Sequence, residues 1–212
     1  MYPEFVWKIM DYIAIFLALI IVLPLHEFAH AFTAVKCGDP TPKFYGRYTI
    51  NPLAHFDPLG LICFVFAGFG WAKPVPVNPN NFKNYKLGSF LVSSAGVFAN
   101  YLLAFIVFPL WVLSFRIPEF GLFTYVLQST LGNIVILSLV FFVFNLIPVF
   151  PLDGFRIFDC FCDKNNPIYR FLRDYGRFVL LFLFLLSVIA VFTGFYQIDI
   201  LGRAIDFLVS YI

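Results

Sequence analysis

Two histidines four residues apart flank a glutamate inside an apolar stretch: His26, Glu27 and His30 in IFLALIIVLPLHEFAHAFTAV. On a helix, positions 26 and 30 lie one above the other on the same face, so their imidazoles can share one metal ion. The glutamate between them is placed to take a proton from a water that the metal activates. The bland alternative is a pair of interior histidines satisfied by hydrogen bonds. Three ionisable groups on one turn of an apolar helix are costly to keep in lipid, which favours a functional site with a compensating cation.

A catalytic zinc usually takes three protein ligands and leaves one position open. Asp153, in NLIPVFPLDG (145–154), is the candidate third ligand, because Pro148 and Pro151 break the preceding helix and Gly154 permits a tight turn that can aim a carboxylate inward. An interfacial aspartate that merely caps a helix is the competing reading. His55, a loop histidine near Asp57, is read as structural rather than as a ligand, and Asn100 as a polar residue holding two helices together.

The elements that must carry these groups are apolar. The chain has 212 residues, of which 61% are hydrophobic and only 12% charged, with a mean hydropathy of +0.89. That composition is expected of an integral membrane protein, and a net charge of +2 gives no ground for nucleic-acid binding. Uncharged runs place about four transmembrane helices at roughly 12–36, 87–115, 122–147 and 177–198. No amino-terminal signal peptide is evident. The apolar, glycine-rich piece 58–72 is too short to span and is expected to be re-entrant or interfacial. The flanking stretches RYTINPLAHFDP and WAKPVPVNPNNF are expected to form edge strands or extended loops, so that 43–80 makes a small membrane-associated β/re-entrant region between the first two spans. Leu201, Ala204, Ile205, Leu208 and Ile212 fall on one stripe, which predicts an amphipathic helix over 200–212. The fold class expected is therefore an all-α polytopic membrane protein, one domain over 1–212.

Four scattered cysteines (Cys37, Cys63, Cys160, Cys162) have no spacing that suggests a redox or zinc pair. With the amino terminus outside, 11 of the 14 Lys and Arg residues fall on the cytoplasmic side, leaving Lys8, Arg116 and Arg203 outside. His26 and His30 precede Lys36 by ten and six residues. They would then lie roughly 9–15 Å inside the cytoplasmic end of the first helix at about 1.5 Å per residue.

Four segments together resemble the site-2 protease family of intramembrane zinc metalloproteases, in its short form without PDZ or CBS domains. HEFAH resembles the zinc-binding helix, and NLIPVFPLDG the second signature, whose aspartate is the third ligand. INPLAHFDPLG with GWAKPVPVNP resembles the membrane-associated β region, and SSAGVFAN the Gly-Pro-x-x-Asn turn. Val97 stands where that turn has proline, and Phe150 where the second signature often has one. The resemblance implies one Zn²⁺ per chain on His26, His30 and Asp153, with Glu27 as general base. It implies Asn145 as a substrate-binding residue. It also implies a role in regulated intramembrane proteolysis in a prokaryotic plasma membrane, with the active site nearer the cytoplasm. Lys73, Pro74, Val75, Pro76 and Val77 are the extended edge expected to hold the unwound substrate by β-addition. The expected substrate is a transmembrane protein or a signal-peptide remnant in contact with membrane lipid. The alternatives are a non-catalytic membrane zinc-binding or escort protein, against which the retained Glu27 speaks, and a small transporter, whose inverted repeat is absent.

Overall fold

A computed structural model describes residues 2–67, 72–194, 203 and 207. Among the described residues the backbone is helical wherever it is regular. Helix α1 spans Glu4–Cys37, α2 Thr41–Phe44, α3 Pro52–His55, α4 Pro58–Ala67, α5 Tyr85–Ser114, α6 Leu122–Asn145, α7 Asp153–Asp159 and α8 Pro167–Thr193, with one 3₁₀ turn at Pro79–Asn81.

Of these, α1, α5 and α6 are long and apolar enough to cross a membrane. They pack against one another pairwise as a three-helix bundle. The shared core is Ala18 and Val22 of α1, Val107 of α5, and Ile134 and Val135 of α6. The polarity is inverted relative to a water-soluble bundle. Ser93, Asn100, Thr124 and Ser138 are buried, whereas Phe105, Leu113 and Phe123 face outward and are exposed. This is the pattern of a protein whose outer surface meets lipid, where helix association relies on close packing and buried polar pairs.

The start signals are local. Glu4 lies in the first turn of α1 and pairs with Lys8 one turn on, at 2.9 Å, which carries the helix eight residues ahead of position 12. Asn84 Oδ1 accepts from Leu87 N to cap α5, and Asn166 Oδ1 accepts from Ile168 N to cap α8, with Pro167 at its first position. Of the expected fourth span, 177–193 lies in α8; residues 195–198, and all but 203 and 207 of the expected helix over 200–212, are outside the described residues.

The region between the first two long helices departs in part from its expectation. Among the described residues no strand forms there. Asn51 and Asp57 each precede a proline and cap α3 and α4: Asn51 Oδ1 accepts from Leu53 N, and Asp57 Oδ1 from Leu59 N and Gly60 N. An Asx–Pro pair is a helix start as readily as a turn, because proline fits the first helical position without losing a hydrogen bond. What remains extended is 73–78, and Ala72 just before it pairs with Phe56 in an antiparallel bridge.

Candidate metal centre

Three side chains from distant parts of the chain meet at one end of the bundle. His26 and His30 come from α1, about three and two turns before its carboxyl end, and Asp153 opens α7. His30 Nε2 lies 3.1 Å from His26 Nε2 and 3.0 Å from Asp153 Oδ2, and His26 Nε2 lies 3.3 Å from the same oxygen. Among the described residues this is the one group of three or more His, Cys, Asp or Glu side chains close enough to share an ion. All three are buried, at 7–8% exposure.

Each arrives by an identifiable route. Pro24, two residues before His26, has no N–H to donate to the preceding turn, so α1 carries a break in its hydrogen-bond ladder beside the site. Asp153 is delivered by the loop after α6. Pro148 and Pro151 stop α6 from continuing, and the Phe150–Pro151 peptide is cis. Gly154 then lets α7 cross the loop closely, since a Cβ there would meet the backbone of Leu146 and Ile147.

The triad needs a positive centre at its middle, which a proton or a metal ion can supply. His30 Nδ1 lies 2.7 Å from the carbonyl oxygen of Val92. A carbonyl only accepts, so Nδ1 carries a proton, and in the neutral ring Nε2 turns a lone pair toward Asp153. Asp153 Oδ2 is buried without a hydrogen-bond partner. Two acceptors 3.0 Å apart out of water repel unless a positive centre lies between them. The triangle of 3.0, 3.1 and 3.3 Å matches the edge of a tetrahedron of zinc ligands, about 3.3 Å for bonds of about 2.0–2.1 Å. Two neutral imidazoles and one carboxylate are a donor set that suits zinc, and three ligands leave a position open.

That open side faces a cavity of about 230 Å³ lined by Glu27, Pro74, Val75, Val77, Asn145 and Arg156 as well as the triad. Glu27 Oε2 accepts a hydrogen bond from Val75 N at 3.2 Å. Asn145 reaches the cavity from the end of α6, its Nδ2 donating to Phe141 O at 3.1 Å. Lys73 is exposed, and neither it nor Pro76 lines the cavity. His55 is fully buried with Nε2 against Thr49 O at 2.7 Å, outside the triad.

The segment over the cavity is anchored by Asp39, just past α1. Asp39 is fully buried. Its carboxylate accepts from Thr41 N and Oγ1, from Asn78 N at 2.7 Å and from Asn81 Nδ2 at 2.8 Å. Burial opposes ionisation there, but these hydrogen bonds outweigh it and hold the carboxyl below the ordinary aspartate value.

Two residues given no part in the site by the sequence reading also touch it. Arg156, one turn after Asp153, lines the cavity. Asn100, fully buried on α5, places its amide Nδ2 3.1 Å from His26 Nδ1. The signal available for Asn100 was its position one turn after Gly96, at the end of SSAGVFAN.

Comparison with known proteins gives relatives of one kind. The chain is 45% identical over 154 residues to "Putative zinc metalloprotease YwhC" of Bacillus subtilis, a match covering 72% of this chain and 69% of the relative. It is 32% identical over 155 residues to "Putative zinc metalloprotease Rip2" of Mycolicibacterium smegmatis, covering 69% of this chain and 58% of that protein. It is 29% identical over 181 residues to the protein of the same name from Mycobacterium tuberculosis, covering 84% and 67%. No family model and no solved structure matches.

Proposed function

The chain belongs to the site-2 protease family of zinc metalloproteases, and from that premise we propose that it is an intramembrane endopeptidase cutting a peptide bond within or beside a transmembrane segment of another protein. The observation that carries this reading is the convergence of His26, His30 and Asp153, with Glu27 in the same cavity, at one end of a bundle of apolar helices. The cofactor is Zn²⁺. His26, His30 and Asp153 would hold it. When bound, it supplies a Lewis acid that polarises the scissile carbonyl and lowers the pKa of a water.

The chain's own groups do the rest. Glu27 takes the proton of the attacking water and hands it to the leaving amine. Asn145 offers its carbonyl oxygen and the second hydrogen of Nδ2 to an unwound substrate backbone, the other hydrogen going to Phe141 O. The 73–77 segment guides that backbone. Residues 73 and 75 turn their N–H groups toward the protein, to His55 O at 2.7 Å and to Glu27 at 3.2 Å. Pro74 and Pro76, on the opposite edge, have no N–H to give. Regular β-addition is therefore favoured on the edge facing Glu27. A substrate strand there takes over the Val75 N–H and frees Glu27 Oε2 at the moment a base is needed. In this reading α8 supplies a fourth span, 1–212 acts as one membrane domain, and the end bearing Lys36, Lys83, Lys86 and Arg156 faces the cytoplasm of a prokaryotic cell. The partners are a transmembrane or signal-peptide substrate and membrane lipid.

The test is incubation of the purified protein in detergent with a labelled transmembrane peptide, with and without a zinc chelator. Cleavage that stops on chelation and returns on adding zinc is the expected result. Cleavage indifferent to the chelator would sink the proposal.

A further inference from the structure

We propose that Asn100 is a positioning residue for His26, setting which ring nitrogen carries the proton and so whether Nε2 can face a metal. The inference rests on the assignment of His26, His30 and Asp153 as zinc ligands. Its origin is a stripe on α5. Val92, Gly96 and Asn100 are spaced four apart and lie on one face of the helix. Each meets the imidazole pair: Val92 through its carbonyl, Gly96 through its missing side chain, and Asn100 through its amide.

The two histidines are held by unlike partners. Val92 O can only accept, so the tautomer of His30 is fixed whatever lies beyond it. The Asn100 amide can donate or accept. In this structure Nδ2 lies 3.1 Å from His26 Nδ1, and Oδ1 is buried with no hydrogen-bond partner. Donation from Nδ2 makes His26 Nδ1 an acceptor. The ring proton then sits on Nε2, which can donate to Asp153 Oδ2 at 3.3 Å. That arrangement suits a site without metal. A half-turn of the amide about Cβ–Cγ brings Oδ1 to Nδ1. His26 Nδ1–H then donates to Oδ1, the orphaned oxygen gains its partner, and the Nε2 lone pair joins those of His30 and Asp153. A ligating histidine held through its other nitrogen is the usual way a protein orients such a ring. Asparagine serves both states. An aspartate would enforce the ligand tautomer but add a charge at a fully buried position among apolar helices.

A residue that only joins α5 to α1 would affect stability and leave zinc binding alone, and this separates the two roles. Zinc affinity is measured by competition with a chromophoric chelator on the full chain in detergent, for wild type, Asn100→Ala, Asn100→Asp and Asp153→Asn. The visible absorption of the cobalt-loaded proteins reports ligand geometry without any activity assay. Asn100→Ala should bind zinc about 10- to 100-fold more weakly, the range for loss of such an outer partner. Asn100→Asp, which keeps an acceptor in the same place, should bind at least as tightly as wild type and keep the wild-type cobalt band. Wild-type affinity in Asn100→Ala overturns the inference, and so does an Asn100→Asp as weak as Asn100→Ala. Should Asp153→Asn bind as tightly as wild type, the ligand assignment itself fails and the inference falls with it. Weak binding by Asp153→Asn beside normal binding by Asn100→Ala removes the inference alone.

Discussion

Replacing Gly96 by alanine sets two effects of opposite sign against each other, and the geometry says which prevails. Within a helix the change favours folding, since alanine exceeds glycine by about 0.8–1.0 kcal/mol in intrinsic propensity. Position 96, however, faces the imidazoles. A Cβ there would overlap His30 Nε2 and lie 2.7 Å from His26 Cε1 and His30 Cε1. Ordinary contact begins near 3.4 Å, so each ring must retreat by about 0.7 Å, the difference between 3.4 and 2.7. The rings have little freedom to do so, because His30 is bonded to Val92 O on the same helix and His26 to Asn100. Zinc–ligand distances tolerate about 0.2 Å. A displacement of more than three times that tolerance, applied to two of three ligands, should cost more than the 10–100-fold typical of an outer partner. We expect zinc affinity to fall by at least about 100-fold, or roughly 2.8 kcal/mol at 1.4 kcal/mol per decade. Overpacking of about 1–3 kcal/mol should match or exceed the helix gain, leaving the melting temperature of the metal-free protein at or below that of wild type. Chelator competition and thermal melting of the metal-free protein read the two quantities separately. Wild-type zinc affinity in Gly96→Ala would refute the packing of α5 against the histidines as the element that sets the site.

Three other outcomes follow from the same geometry. Glu27→Gln keeps its size and its hydrogen bond to Val75 but cannot take a proton; it should retain zinc while cleavage of a transmembrane peptide drops by about 10²–10⁴-fold, and loss of zinc instead would make Glu27 a ligand. Asp39→Ala removes the acceptor that joins α1 to 78–81 and should lower stability by about 2–3 kcal/mol near neutral pH. Because hydrogen bonds lower the folded carboxyl's pKa, that contribution is complete above the ordinary aspartate value of about 3.9 and is lost as pH falls through the lowered one. The gap in melting temperature between wild type and Asp39→Ala should therefore close in acid, and a gap that stays constant there contradicts the assignment. A cysteine at position 83, with the four native cysteines replaced, should react with a membrane-impermeant thiol reagent in inverted vesicles and not in intact cells; the reverse pattern overturns the orientation.

The parts of the site that the sequence made legible are those set by short-range geometry. The four-residue spacing of His26 and His30 implies a shared face as soon as the helix is granted, and the uncharged runs grant the helix. Asp153 was reachable for a similar reason, because Pro148, Pro151 and Gly154 interrupt α6 within ten residues of its end. The region between the first two long helices was harder. Asn51-Pro52 and Asp57-Pro58 sit among β-branched and apolar residues, and the same pairs can open a turn or cap a helix. Which one forms depends on what packs outside the segment, and here both cap short helices. Asn100 lay furthest from local reading. Its partner on α1 is 74 residues away, so sequence alone could say only that a buried amide between apolar helices needs some partner. The bundle turns that general need into a specific one. The stripe of α5 that holds Asn100 also holds the carbonyl that orients His30, and the glycine that lets both rings approach. One helix with no proposed ligand of its own thus touches two of the three proposed ligands.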